Sequence, residues 1–137
     1  MRIGIDNNED MLKEANGKYD QLFNLDIQKK LPFPDNYFNI ILALEVLEHL
    51  ENPIKTIKEI RRLLKDGGKA IISVPNGLFN FEFFLQGHKH ILTERVWKKL
   101  LSRYFKVLSV RHVAIIPLIR KVIRFPRGII FELTKKV

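Results

Sequence analysis

Apolar residues fall along this chain in short runs separated by polar, glycine-containing or proline-containing stretches. The run Phe38–Leu44 is apolar over nearly its whole length. Such runs are typical of strands that are covered on both faces in a parallel sheet. Five other runs also predict strands, at 2–5, 22–25, 69–74, 105–116 and 128–133.

Three stretches carry the spacing and the end signals of helices. The clearest begins at Asn52-Pro53, because Asn is a good N-cap residue and Pro suits the first helical position. Its end is predicted at Gly67-Gly68, and its apolar stripe comprises Ile54, Ile57, Ile60, Leu63 and Leu64. A short helix is also predicted over Met11–Asn16, starting near Asn8 or Glu9. A third follows Thr93, with a core face of Val96, Trp97, Leu100, Leu101 and Tyr104. Strands that alternate with helices predict an α/β fold with a mostly parallel sheet.

Length and composition narrow the class of protein. The chain has 137 residues, 46% of them hydrophobic and 28% charged, which suits one domain with a sizeable core. It contains no cysteine, which excludes a disulfide scaffold and any Cys-ligated zinc. No apolar run approaches the roughly 18 residues of a membrane span, and acidic residues follow Met1 too early for a signal peptide. The sequence therefore predicts a cytoplasmic protein.

The net charge of +9 is unevenly distributed. Residues 1–68 carry a net charge of −2, whereas residues 69–137 carry +11. A basic half indicates an anionic partner, such as a phosphate group, a nucleic acid or a membrane surface, but it is also typical of a solvated Lys-rich face. Within it, Leu118–Phe125 has the spacing of a short basic amphipathic helix. That pattern predicts either a surface helix packed on the sheet, which is the commoner case, or a membrane-surface contact.

A second unusual stretch, Leu78–Leu85, contains four phenylalanines in eight residues. These rings predict either an apolar substrate pocket or side chains that fill core around the sheet. They are separated in the sequence from the basic residues, whereas proteins that bind single-stranded nucleic acid interleave the two. Nucleic acid is therefore the less favoured partner.

Acidic residues follow three of the predicted strands. Asp6 and Asp26 come about 20 residues apart at the ends of consecutive strands, and Glu45 and Glu48 follow Phe38–Leu44. In open α/β sheets, ligands bind at the carboxyl ends of the strands. A carboxylate there can accept both hydrogen bonds of a ribose diol, and a second can accept from the amine of a base. Turns favour Asp in any case, but the two aspartates together suggest a nucleoside pocket.

Several short motifs follow one another in a specific order and spacing. They are Gly4-Ile5-Asp6, Leu25-Asp26, Leu31–Asn39, Ala43–Leu50, Leu63–Gly68, Val74-Pro75-Asn76 and His90–Glu94. In this order they resemble the class I S-adenosylmethionine-dependent methyltransferases, in particular the group that contains the ubiquinone-biosynthesis O-methyltransferases. The resemblance runs from Arg2 to about Val110 and implies a Rossmann-like sheet with flanking helices.

The resemblance implies a role for individual residues. Asp6 would hold the ribose hydroxyls of S-adenosylmethionine, and Asp26 would accept from the adenine amine, with Ile27 packed beside the ring. Leu44 would contact the cofactor from the opposite side, and Glu45 would line the same site. These residue types suit their partners, because carboxylates accept from diols and amines and apolar side chains cover a purine face.

The family pattern also contains segments that this sequence lacks. A first strand and a glycine-rich loop are expected before Arg2, and none of the seven glycines forms a Gly-x-Gly loop. The absent loop also counts against a nicotinamide-dependent dehydrogenase. We therefore expect one methyltransferase domain over residues 1–137, incomplete at its N-terminus with the first strand missing. A missing central strand favours a homo-oligomer in which a partner chain supplies one.

Three histidines are candidates for chemistry. His49 is the candidate catalytic residue, as a general base for the methyl acceptor, although it also suits a packing or capping position before the next helix. In related enzymes the segment of His88 and His90 covers the active site, so these residues either reach substrate or remain on the surface. The three lack the spacing of zinc ligands, so no metal site is predicted.

The sequence thus predicts a methyltransferase that carries a methyl group from S-adenosyl-L-methionine to a small-molecule acceptor, apolar with an anionic group. The alternative is an inactive methyltransferase-like scaffold. It would bind a membrane surface, nucleic acid or protein partner through its basic C-terminal half, at residues 111–136.

Overall fold

The computed structural model describes residues 1–77, 89–113 and 128–136. The chain forms two compact units, Met1–Phe33 and Pro34–Val137. Each is described separately below. The expectation of one domain that is incomplete at its N-terminus stays a prediction. Two predicted features, the aromatic stretch Leu78–Leu85 and the basic helix Leu118–Phe125, lie outside the described residues.

The first unit is a β–α–β arrangement with two parallel strands. Strand β1 spans Ile3–Asp6, helix α1 spans Glu9–Ala15 and strand β2 spans Gln21–Asn24. The register pairs Asp6 with Asn24, so both strands end at the same edge. Helix α1 starts at Glu9, near where the sequence predicted, and Asn8 caps it, because its side chain accepts from the backbone N–H groups of Asp10 and Met11.

The second unit contains a four-stranded sheet in the order β3–β4–β6–β5. Its elements are β3 (Phe38–Leu44), a 3₁₀ turn (Leu47–His49), α2 (Pro53–Leu63), β4 (Leu64–Pro75), α3 (Glu94–Leu101), β5 (Phe105–Val113) and β6 (Gly128–Lys135). Strands β3 and β4 are parallel, whereas β6 runs antiparallel to both β4 and β5. The predicted α/β fold is confirmed, and the sheet of this unit is mixed.

The core of the second unit lies where α2 and α3 pack on the sheet. Fully buried side chains come from both helices and from the central strands, and include Ile57, Ile72, Trp97, Leu101 and Phe131. Two residues predicted to face this core are more exposed. Ile54, in the first turn of α2, is 36% exposed, and Val96, in the first turn of α3, is 46% exposed.

Helix α2 ends earlier than Gly67-Gly68, where the sequence predicted its end. Its last residue is Leu63, and the extended Leu64 is fully buried and pairs with Phe38 as the first residue of β4. The glycines lie within β4, where Gly67 has a φ of 74°. A Cβ on Gly68 would lie 2.9 Å from the Asn39 carbonyl oxygen, so the close approach of β3 requires glycine here. The Gly67-Gly68 pair therefore lies in a strand and does not end the helix.

One face of β3 is exposed, although its apolar sequence predicted burial on both faces. Ile40 and Leu42 are each 61% exposed and Leu44 is 53% exposed, whereas the intervening Ala43 is buried. Side chains alternate between the two faces of a strand, so these three residues form an apolar stripe on one face of the sheet. None of the described helices combines the length and apolar character needed to cross a membrane.

The N-cap of α2 offers a test of how this helix is held. The Asn52 side chain accepts from the Lys55 backbone N–H, and Pro53 occupies the first turn. Asn52→Ala is expected to lower the free energy of unfolding by about 1 kcal/mol, measured by urea denaturation. Asn52→Asp, which keeps an oxygen acceptor, should be close to wild type. Equal losses in the two variants would contradict a capping role.

Candidate active site

Two carboxylates lie at the carboxyl edge of the two-stranded sheet. Asp6 is the last residue of β1, and Asp26 follows β2 by two residues. The Leu25 backbone N–H donates to the Asp6 carbonyl at 3.1 Å, which fixes the chain between the two acids at this edge. Both predicted cofactor-binding aspartates therefore belong to one edge of one unit.

The two aspartates share one local geometry. Asp6 Oδ1 accepts from the Asn8 backbone N–H at 2.8 Å, and Asp26 Oδ1 accepts from the Gln28 backbone N–H at 2.9 Å. These are Asx turns, which fix the orientation of a carboxylate. Within the described residues, the second oxygen of each has no hydrogen-bond partner. Each carboxylate thus keeps one oxygen to accept from a ligand, and Ile27 lies beside Asp26, partly buried.

The carboxyl end of β3 carries the predicted residues Leu44 and Glu45. Leu44 is exposed, and Glu45 has a φ of 53°, a left-handed conformation that is uncommon outside glycine. Ser73 of β4 holds this turn, since its Oγ donates to Glu45 Oε1 at 2.7 Å and accepts from the Glu45 backbone N–H at 3.0 Å. Non-glycine residues in such conformations cluster at functional sites.

Glu48 follows Glu45 by three residues and is fully buried. Neither of its carboxylate oxygens has a hydrogen-bond partner within the described residues. Burial, and to a lesser degree the nearby negative charge of Glu45, raises the pKa of Glu48 from 4.5 to about 8. A carboxyl that stays protonated at neutral pH beside a strand end is unusual, and such groups are enriched at functional sites.

His49 connects the buried carboxyl to the surface. Its side chain is 44% exposed, and its Nε2 lies 4.0 Å from Glu48 Oε1. The backbone carbonyl of Glu48 accepts from the N–H groups of Lys89 and His90, at 2.8 and 3.1 Å. The His90 ring is engaged elsewhere, since its Nε2 lies 3.0 Å from the Leu50 carbonyl oxygen. The third candidate, His88, lies outside the described residues.

The predicted residues therefore form two groups. Asp6, Asp26 and Ile27 belong to the first unit, and Leu44, Glu45 and His49 belong to the second. The sequence did not identify Ser73, which holds Glu45, and it treated Glu48 only as one acid of a pair. The signal for Glu48 is its position in Val46–Leu50, where it directly follows the apolar pair Val46-Leu47 and Leu50 comes two residues later.

Residues 2–72, slightly more than half of the chain, match the methyltransferase domain family. The chain belongs to this family, as the motif order predicted.

Two relatives show how far the similarity extends. The protein MJ1123 of Methanocaldococcus jannaschii is 39% identical over 74 residues, which are 54% of this chain and 36% of that protein. The ubiquinone/menaquinone biosynthesis C-methyltransferase UbiE of Cupriavidus taiwanensis is 31% identical over 115 residues, which cover 75% of this chain and 39% of that enzyme. The chain thus spans less than half the length of these curated relatives.

Solved structures confirm the fold. A methyltransferase from Archaeoglobus fulgidus, described as SAM-dependent, has a TM-score of 0.76 at 20% identity, covering 97% of this chain and 75% of its own. An S-adenosylmethionine-dependent methyltransferase from Mesorhizobium loti has a TM-score of 0.78 at 16% identity, covering 97% and 80%. The architecture is therefore that of the Rossmann-like methyltransferases.

Proposed function

We propose that this chain acts in S-adenosylmethionine-dependent methyl transfer to a small-molecule acceptor. The observation that carries the proposal is the pair Asp6 and Asp26. Both lie at one sheet edge, each is oriented by an Asx turn, and each has one oxygen without a partner within the described residues. Membership of the methyltransferase domain family supports the same function.

The two hydrogen-bond acceptors of the first unit suit an adenosine group. A ribose diol offers two O–H donors and the adenine amine offers N–H donors, while the two aspartates offer acceptors whose orientation is already fixed. A prearranged acceptor loses little conformational entropy when a ligand binds. Asp6 would hold the ribose, Asp26 the amine, and the partly buried Ile27 the face of the ring.

The carboxyl end of β3 in the second unit carries the other candidate residues. S-adenosylmethionine supplies an electrophilic methyl group when it is bound. Leu44 offers an exposed apolar side chain, and Ser73 keeps the Glu45 carboxylate beside it. We assign the proton of an O–H or N–H acceptor to His49, whose imidazole is 44% exposed and lies 4.0 Å from the Glu48 carboxylate.

The acceptor is proposed as a small apolar molecule with an anionic group, and the activity as cytoplasmic. The support for the acceptor is the exposed apolar stripe of β3 together with the basic character of residues 69–137. UbiE, a ubiquinone/menaquinone biosynthesis C-methyltransferase, aligns over three quarters of this chain and is consistent with such an acceptor.

Calorimetric titration with S-adenosylmethionine, and in parallel with S-adenosylhomocysteine, tests the proposal. We expect dissociation constants on the order of 10 μM, within the usual range for enzyme substrates. His49→Gln should bind S-adenosylhomocysteine like wild type but lower the turnover of hydroxylated aromatic acceptors. A folded chain that binds neither compound would refute the cofactor assignment. Unchanged turnover in His49→Gln would refute only the role of His49.

A further inference from the structure

A basic groove lies at the end of the second unit's sheet opposite to Leu44 and Pro75. It is lined by Lys58 and Arg61 of α2, Arg103 and Tyr104 of the turn before β5, and Lys136 after β6, and its volume is about 480 Å³. The strand register fixes its position. Phe105 pairs with Lys135 at this end of the sheet, whereas Pro75 pairs with Gly128 at the other. The groove therefore lies at the opposite end of this sheet from Leu44 and Glu45.

Arg61 forms the fixed part of the groove. Its Nε donates to the Tyr104 carbonyl oxygen and its Nη2 to the Lys136 carbonyl oxygen, both at 3.2 Å. Lys136 Nζ in turn donates to the Ser102 carbonyl oxygen at 3.0 Å. These bonds join α2 to the two neighbouring segments. A guanidinium has five N–H donors, so Arg61 keeps donors for a ligand while its position is held.

The charges of the groove are not neutralised by acids. Four of its five residues are cationic, no acidic side chain lines it within the described ranges, and none of the four forms an ion pair there. Neighbouring cations differ in this respect. Arg62 is paired with Glu59 and Asp35, and Lys135 with Asp66. These two neighbouring cations are thus neutralised by acids, whereas the four cations of the groove are not.

The carbonyl groups at the C-terminal end of α2 account for only part of this charge. A helix end carries roughly half an elementary negative charge, against four positive side chains in the groove. The side chains of Arg61 and Lys136 donate to backbone carbonyls, whereas those of Lys58 and Arg103 make no hydrogen bond within the described residues. The excess positive charge faces solvent in a concave site.

We propose that this basic groove binds a phosphate group, carried either by a small phosphorylated molecule or by a lipid headgroup. Arginine and lysine donate charge-assisted hydrogen bonds to phosphate oxygens, and a fixed guanidinium matches their geometry. Tyr104 completes the lining and, through its backbone carbonyl, holds Arg61 in place. The site is independent of the proposed methyl transfer, because it uses none of the residues assigned to that reaction.

Titration of the whole chain with pyrophosphate, in low-salt buffer free of phosphate and followed by calorimetry, tests the proposal. The variant Lys58→Gln/Arg103→Gln is expected to bind pyrophosphate about tenfold more weakly or worse, since hydrogen bonds to charged groups are among the strongest. The matched control is Arg95→Gln/Arg111→Gln. It removes two exposed positive charges from α3 and from the other end of β5, and it should bind like wild type.

Two vesicle arms identify the source of the phosphate. Binding to phosphatidylglycerol vesicles but not to phosphatidylcholine vesicles, lost in the groove variant, indicates a lipid headgroup. Pyrophosphate binding without vesicle binding indicates a small phosphorylated molecule. Equal weakening by the groove and control variants would overturn the proposal in favour of diffuse charge. Absence of binding to both pyrophosphate and vesicles, or binding only to an oligonucleotide, would overturn it too. The groove variant should also bind S-adenosylhomocysteine like wild type. This control separates a failure of the phosphate proposal from a failure of the proposed methyl transfer.

Discussion

Asp6→Asn is expected to weaken S-adenosylhomocysteine binding about 100-fold, because hydrogen bonds to a charged acceptor contribute about 1.5–3 kcal/mol each and a ribose diol makes two. The Asp6 carboxylate keeps its Oδ2 for the diol, since Oδ1 already accepts from the Asn8 N–H at 2.8 Å. In the variant, an amide N–H₂ group replaces that acceptor and opposes the hydroxyl donors. Calorimetric titration measures the change.

Asparagine is the informative substitution because it separates binding from folding. Its Oδ1 can still accept from the Asn8 N–H, so the Asx turn before α1 is retained, whereas Ala would remove it. Glu14→Gln is the matched control. It removes one negative charge from an exposed position of α1 in the same unit. If Asp6→Asn and Glu14→Gln bind with equal affinity, the adenosine assignment is wrong.

Glu48 is expected to make the protein less stable as the pH rises from 5 to 8. Its pKa is raised to about 8 in the folded state, against 4.5 for an ordinary glutamate. Between these values the folded protein keeps a proton that the unfolded chain releases. Each step up in pH therefore favours the unfolded chain. At 1.36 kcal/mol per pKa unit, the loss from this group is roughly 4 kcal/mol across the interval.

The variant Glu48→Gln should abolish this part of the pH dependence. Glutamine has nearly the shape of protonated glutamate and does not titrate, so the wild-type free energy of unfolding should approach or fall below that of the variant as pH increases. Urea denaturation of both proteins at pH 5, 6, 7 and 8 measures the difference, in which contributions from groups distant from Glu48 largely cancel. Glu51→Gln, three residues along at an exposed position paired with Lys89, is the control. A parallel pH dependence in wild type and Glu48→Gln would contradict a buried, protonated carboxyl.

Local patterns predicted which helices and strands form better than they predicted where the helices end and which strand faces are buried. The cap at Asn52 and the start of α1 near Asn8 or Glu9 were predicted correctly, because helix starts depend on a few neighbouring residues. The end of α2 was not, since Leu64 leaves the helix in order to be buried and to pair with Phe38. That preference comes from the rest of the sheet and is absent from the local sequence.

In the candidate site, too, the positions of some residues were predicted from the sequence, whereas burial and long-range contacts were not. Acids that follow apolar runs predicted the positions of Asp6 and Asp26, because strand ends are visible in the sequence. The burial of Glu48 was not predicted, since glutamate is rarely fully buried unless it is paired. The contact between Ser73 and Glu45 joins residues 28 positions apart through the β3–β4 register. Only the assembled sheet brings them together.

The position of β6 in the sheet has a consequence for synthesis on the ribosome. Within the described residues β5 pairs only with β6, and β6 also forms the antiparallel ladder of β4. Translation proceeds at about 5–20 residues per second, so β5 waits about 1–4 s for Gly128–Lys135 to follow it. During that time the edges of β4 and β5 that β6 later covers are unpaired, and such edges are prone to pairing with other chains. Mutations that slow the docking of β6 are therefore expected to reduce soluble yield more than their effect on equilibrium stability indicates.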